Sequence, residues 1–347
     1  MRFIKYLGGV LLVVLVINVA YTFMRNAGKL DTINATDNAM CHSLRVSAGT
    51  EDVTIDKTTG MVFVSADNRR RALVDPADHD GIYAFSIDDT SSLKRVSQGG
   101  PKDFHPHGIS LWTSETEKRL FVVNHQRTGD NSVEIFDVAE DGMLRHVKSV
   151  MFDAMHSPND VHAVGPDAFY VTNDKGYKTG LMSKLEAYLG LPFASVAYFD
   201  GEKGRKVIKG LTYANGINQS PDGKHVYVSQ ILPRTISVYD RDMEDGSLVK
   251  LRSIDVNSSP DNIEVDESGM VWVAGHQNLF AFLAHSKDPA SPAPSHVIKI
   301  DPKTGEYDDI FYDAGKAISA SSVGASYNDT LVIGAVFDGR VLICDQR

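Results

Sequence analysis

Six strand pairs recur along this chain, and each is led in by two polar or small residues in the same register. The pairs begin at Val53, Ile109, Val161, Ile217, Ile263 and Val323. Two residues earlier stand Glu51, His107, Asn159, Asn215, Asp261 and Ser321, and one residue earlier stand Asp52, Gly108, Asp160, Gly216, Asn262 and Ser322. The starts lie 56, 52, 56, 46 and 60 residues apart. Turn residues such as Ser220-Pro221-Asp222-Gly223 and Asp266-Glu267-Ser268-Gly269 separate runs of β-branched and aromatic residues, the pattern of antiparallel hairpins. Further strand-like stretches, among them Thr235 to Asp240 and Val297 to Ile300, fit each interval. Four strands in about 50 residues make a β-propeller blade. The chain is therefore expected to be all-β, a six-bladed β-propeller with a central channel. A β-sandwich has no reason to repeat at this period.

The length of 347 residues accommodates one large β domain or two ordinary ones, and 42% hydrophobic with 23% charged residues is a globular composition. The formal net charge is −10. Polyanion binding needs clustered Lys and Arg, and the one such run, Arg69-Arg70-Arg71, reads as a solvated loop. Nucleic acid is thereby disfavoured as a partner.

The N-terminus departs from this composition. Between Lys5 and Arg25 lie 19 residues without a formal charge. As a helix they rise about 28 Å, close to the roughly 30 Å hydrocarbon core of a membrane. An uncleaved signal anchor is favoured over a removed signal peptide, since no A-x-A site follows. The expected domains are a membrane segment over 1–25, a linker over 26–40 and the propeller over 41–347. The only two cysteines, Cys41 and Cys344, bracket the folded part. In an exported chain they read as one disulfide, the alternative being two buried thiols. The expected location is extracytoplasmic, membrane-anchored or secreted. Leu181 to Leu189 has helical spacing, as a helix packed on the propeller or a lid over its site. Pro289 to Ser295 reads as a mobile loop.

In a ring, equivalent positions meet at one mouth of the channel, joined there by the ends of the second strands. Glu51, Asn159, Asn215, Asp261 and Asn262 can supply one five-ligand oxygen cluster with two negative charges. Oxygen donors of this kind suit Ca²⁺ better than zinc. Asp52 and Asp160 sit one residue further along and suit a second, deeper ion. His107 and His125, 18 residues apart, lie near the open end of one hairpin. A neutral imidazole there can take a proton from water with a second imidazole behind it. His276 is a candidate pocket residue, while His105, His156 and His162 read as structural or exposed. Each Asn or Asp alone is a common turn former; the shared register favours a site.

The segments Gly49-Thr50-Glu51-Asp52, Phe104-His105-Pro106-His107-Gly108-Ile109-Ser110, Val122-Val123-Asn124-His125, Asn159-Asp160, Phe169 to Asp174, Tyr188 to Leu191, Ala214 to Asn218, Asp261-Asn262-Ile263 and Trp272 to His276 together resemble the paraoxonase/arylesterase family of calcium-dependent lactonases. The resemblance runs from about Cys41 to Cys344. It implies a six-bladed propeller with two calcium ions. Glu51, Asn159, Asn215, Asp261 and Asn262 match the catalytic-calcium ligands; Asp52, Asp160 and the Ile109 carbonyl match the structural-calcium ligands. His107 and His125 resemble the family's histidine dyad, with Asp261 an alternative base, and Cys41–Cys344 its end-tying disulfide. The apolar N-terminus and the helix near Leu181 have counterparts associated with membranes or lipoproteins. The implied activity is hydrolysis of small-molecule lactones and aryl esters. Three positions depart: residues 67–73 lack the expected tyrosine, Tyr213 replaces a phenylalanine at the pocket, and Gly275 stands where a free cysteine often precedes the His276 position. A non-catalytic calcium-binding propeller, and an enzyme of the gluconolactonase or strictosidine-synthase type, are the alternatives.

Overall fold

A computed structural model describes residues 2–28, 30, 40–70 and 79–346. Six antiparallel four-stranded sheets form the blades of the expected propeller. Blade 1 comprises Thr50–Ile55, Met61–Ala66, Gly81–Ser86 and Asp89–Arg95; blade 2 comprises Pro106–Thr113, Lys118–His125, Asn131–Val138 and Leu144–Val150. Blades 3, 4 and 5 begin with Pro158–Ala163, Ala214–Gln219 and Ser259–Val265. The first strand of each blade touches the first strand of the next, and Thr50–Ile55 touches Ser321–Tyr327 of blade 6, so the ring closes.

Closure uses both ends of the propeller. Blade 6 takes Ser321–Tyr327, Thr330–Ala335 and Arg340–Asp345 from the C-terminal end, and Cys41–Arg45 pairs on its outer edge. In that pairing Cys41 opposes Cys344, and their sulfurs form a disulfide. The core is shared between neighbours: Val53, Val62 and Val64 of blade 1 pack on Val323, Val332 and Val341 of blade 6. An inner strand buried on both faces tolerates only residues with partners. Every residue of Thr50–Ile55 is buried, Glu51 and Asp52 included.

The polar pairs do not precede the first strands, as the sequence suggested, but lie inside them. In all six blades the hairpin register shifts at this point, between Thr50 and Asp52, Pro106 and Ile109, Pro158 and Val161, Ala214 and Ile217, Pro260 and Ile263, and Ser321 and Val323. Such a bulge inserts an unpaired residue, bends the strand and re-aims the side chains there.

Three helices complete the fold among the described residues. α1 (Arg2–Asn26) stands exposed along its apolar length from Tyr6 to Phe23, and by length and composition can cross a membrane. Most of the linker expected over 26–40 lies outside the described residues. α2 (Gly180–Leu189) is the helix expected from spacing. α3 (Leu279–Lys287) was not anticipated; its signal is Asn278, whose side chain caps the amides of Phe280 and Ala281, both at 3.0 Å, ahead of an apolar run.

Two loop expectations need correction. Arg69 and Arg70 are not solvated. Arg69 donates to the carbonyls of Gly49 and Asp67, both at 3.2 Å, and of Pro106 at 3.3 Å. Arg70 donates to the His285 carbonyl at 2.7 Å and lies 4.8 Å over the Phe337 ring. Arg71 lies outside the described residues. The proline-rich stretch is pinned rather than loose: Ala293 is buried, its carbonyl accepts from Ala320, and Ser291 O lies 2.8 Å from His285 Nδ1.

Candidate functional site

The bulges direct two tiers of side chains into the channel. In the upper tier the Asn262 amide donates to Glu51 Oε1 at 2.9 Å, and His107 Nε2 lies 3.4 Å from the same oxygen. Burial alone would raise the Glu51 pKa. The His107 ring and the Arg69 guanidinium outweigh it and bring that carboxyl down to about 2. Asp261 Oδ2 lies 2.9 Å from His276 Nε2. Burial pushes the Asp261 carboxyl up, against the pull of that imidazole.

Several oxygens of this tier are buried and have no hydrogen-bond partner among the described residues: Glu51 Oε2, Asn159 Oδ1, Asn215 Oδ1 and Asn262 Oδ1. Orphaned buried acceptors are costly, about 1–3 kcal/mol each, and call for an explanation. Four of them, with the Asp261 carboxylate alongside, make an all-oxygen donor set of the kind a hard divalent cation takes.

The lower tier is different. Asp52 accepts from the amide of Val53 at 2.9 Å and, across the blade boundary, from Ile109 at 2.6 Å. Asp160 repeats the arrangement with Val161 at 2.7 Å and Ile217 at 2.8 Å. Burial raises both carboxyls well above the usual range. For Asp52 the charges of Asp160 and Glu51 add to this; for Asp160 the backbone amides oppose it and the charges of Glu51 and Glu264 add. Glycine at the matching position of the preceding blade leaves room for Asp160, and Gly216 leaves room for the backbone of blade 5. A Cβ on Gly108 would overlap Asp160 Oδ1 and come within 2.5 Å of its Cα; one on Gly216 would come within 2.5 Å of the Asp261 carbonyl.

Beside the upper tier the His107 and His125 rings meet edge to face, centroids 4.8 Å apart. Burial, reinforced by the charge of His107, depresses the His125 pKa to about 3, so this ring is neutral near pH 7. Its Nδ1 faces Asn131 Oδ1 at 3.0 Å. That oxygen only accepts, which assigns the ring proton to Nδ1 and leaves Nε2 bare.

Other candidates fall less simply. His276 is buried behind Asp261 with its ring 4.2 Å from that of Phe282 on α3, so it orients a carboxylate rather than forming an open wall. Tyr213 holds a left-handed backbone, φ 53°, with Lys175 Nζ 5.3 Å from its ring centre. Gly275 has no room for a cysteine: a Cβ there would lie 2.6 Å from Ser258 Oγ. His162 is buried and pushed down to about 3. His105, read from sequence as structural or exposed, is neither exposed nor inert. It lies among Asp67, Asp80 and Asp103, and one ligand atom each from Asp67, Asp80 and His105 fall within 4.8 Å of one another. No periodic signal marked it, because its partners come from two blades.

The sequence model of the Arylesterase family matches residues 33–346. Serum paraoxonase/arylesterase 2 of Gallus gallus is 33% identical over 318 residues, covering 88% of each chain. Serum paraoxonase/arylesterase 1 of Homo sapiens is 33% identical over 316 residues, covering 86% of each. Among solved structures, a luciferin-regenerating enzyme superposes with a TM-score of 0.55 at 17% identity, covering 87% of this chain and 92% of its own. A putative gluconolactonase superposes with a TM-score of 0.55 at 16% identity, covering 88% and 91%; these two likenesses establish the propeller fold alone. The match over nearly the whole propeller, at one-third identity to the serum enzymes, means that this chain belongs to the arylesterase family, with the paraoxonases.

Proposed function

We propose that this protein is a calcium-dependent hydrolase of lactones and aryl esters, held at a membrane by α1 with its propeller outside the cytoplasm. The observation that carries the reading is the set of four buried oxygens on Glu51, Asn159, Asn215 and Asn262 that lack a hydrogen-bond partner among the described residues, beside Asp261. They are the residues that would hold a catalytic Ca²⁺; Asp52, Asp160 and Ile109 would hold a second, structural ion. A Ca²⁺ held there would supply polarisation of the ester carbonyl and stabilisation of its developing negative charge.

The chain's own residues supply the rest. His107 takes the proton of the attacking water, and the bare Nε2 of neutral His125 relays it onward. His276 orients Asp261. Tyr213 and Lys175 line the rim and bear on substrate choice. The rims of blades 3 and 5 continue into α2 and α3, which expose Leu181, Met182, Leu185 and Leu189, and Phe280 and Leu283. The end of α1 meets α3 through Phe23 and Phe280, ring centroids 4.7 Å apart, and through Gln277 Nε2 donating to Gly28 O at 3.3 Å. These contacts favour a channel mouth that faces the bilayer and receives apolar substrates from it. The disulfide is consistent with an extracytoplasmic site.

Full-length protein in detergent is expected to hydrolyse aliphatic lactones and phenyl acetate, to lose both activities with a chelator and to regain them with Ca²⁺. Asn215→Ala should lower both calcium content and turnover, by about a hundredfold or more in rate. Turnover indifferent to chelation, or full activity in Asn215→Ala, rejects the assignment.

A further inference from the structure

His105 occupies a setting that a doubly protonated imidazole satisfies at every contact. Its Nδ1 lies 3.0 Å from Asp67 Oδ1 and 3.0 Å from Asp80 Oδ2, and its Nε2 lies 3.1 Å from Asp103 Oδ1. Carboxylates accept and do not donate, so a neutral ring would turn a bare nitrogen toward an anion. The three partners come from different places: Asp67 follows the second strand of blade 1, Asp80 precedes its third strand, and Asp103 leads into blade 2.

The same residue holds the histidine pair through its backbone. The His105 amide donates to Asn124 Oδ1 at 2.8 Å, and its carbonyl accepts from the His125 amide at 3.0 Å. His107 is two residues along. Asn124 also donates to the Asp103 carbonyl at 3.0 Å, and the Arg127 amide donates to Asp103 Oδ2 at 2.8 Å. The segment 103–107 is thereby tied to the strand end that carries His125, and the imidazolium ties both to blade 1.

We propose that His105 is a positioning residue that fixes His107 and His125 relative to each other, acting as a cationic clamp on three carboxylates. This rests on the reading above, in which those two rings move the proton.

The ionisation follows from the surroundings. Hydrogen bonds donated to Asp67 and Asp80 hold the His105 pKa up to about 9, against burial and the charge of Arg127. Asp67 is correspondingly brought down to about 2: burial opposes this, and the bond to His105 and the charges of Arg69 and His107 prevail. Among the described residues the groups facing the ring are thus Asp67, Asp80 and Asp103, with Arg127 and Arg69 behind them. Since the pKa is raised on folding, the clamp's contribution is complete below about pH 6.5. It fades above that and is lost as pH rises through about 9.

The test compares wild type with His105→Gln and His105→Lys at matched calcium content. His105→Gln should lower kcat on a neutral lactone by about ten- to a hundredfold, because misplacement of a catalytic pair costs rate on that scale, with KM changed less than about twofold. His105→Lys should recover part of kcat. Wild-type kcat should decline through about pH 9, and the lysine variant should lack that limb. Unchanged kcat in His105→Gln, or a limb identical in all three proteins, overturns the proposal. Equimolar zinc uptake lost in His105→Gln also overturns it, by putting a metal in place of the proton. If no lactone is hydrolysed at all, the proposed function fails separately. The ¹⁵N ring resonances of His107 and His125 then decide, with displacement in His105→Gln supporting the clamp and identity rejecting it.

Discussion

Around two-thirds of the ring, the second residue of each polar pair alternates between a carboxylate and a glycine: Asp52, Gly108, Asp160, Gly216. The glycines are not needed for left-handed backbone. They are needed for space, because the following blade presses close: a Cβ on Gly108 would meet the Asp160 carboxylate and one on Gly216 the Asp261 carbonyl. Gly108→Ala is expected to displace Asp160 from the amide of Ile217, lowering Tm and calcium content together, with a loss of about 2–4 kcal/mol in stability from overpacking and a buried carboxylate left short of partners. Thermal melting with and without Ca²⁺ checks it; an alanine variant with wild-type Tm and metal content would show that the two blades do not press together here. Which residue types fill these positions was legible in the sequence. That Asp52 and Asp160 each cap an amide 57 residues away was not, since nothing local encodes a partner on the next blade.

At the scale of elements, the strand carrying Cys41 is the most dependent on a single link. Among the described residues it pairs only along one side, at the outer edge of blade 6. The disulfide spans a separation of 303 residues, and loop-closure entropy then stabilises the fold by at most about 5–6 kcal/mol. Cys41→Ser with Cys344→Ser is expected to lower Tm and to make Cys41–Arg45 the first segment to lose hydrogen-exchange protection. Melting of the double variant at the wild-type temperature would remove the disulfide from any structural role. α2 could be read from its spacing. α3 could not, although Asn278 marks its start, because nine residues of mostly apolar sequence after a strand look like more strand. Arg69 and Arg70 were misjudged for a related reason: three arginines look solvated until folded carbonyls surround them.

On the scale of the whole molecule, the channel concentrates Glu51, Asp52, Asp160, Asp261 and Glu264 in buried positions. Burial raises even Glu264 to about 7. A chain with so many buried carboxyls at its axis should depend on a cation for global stability. Saturation at a hundredfold over Kd corresponds to roughly 2.7 kcal/mol, so Tm should rise by several degrees with added Ca²⁺ and fall with chelator, as read by calorimetry. A Tm indifferent to both would count against any ion in the channel, catalytic or structural.

The sequence by itself determined the six units, the family, the residue types that face the channel and the one cysteine pair available for a disulfide. These are written in short-range periodicity, in motif order and in a composition of only two cysteines. The tertiary structure decided how the bulges aim the polar pairs, where glycine makes room for a carboxylate, and that His105 collects three aspartates. Those outcomes depend on closing the ring. Only then do residues separated by tens of positions share a low-dielectric interior in which an unpaired charge or an unfilled hydrogen bond is costly enough to fix the arrangement.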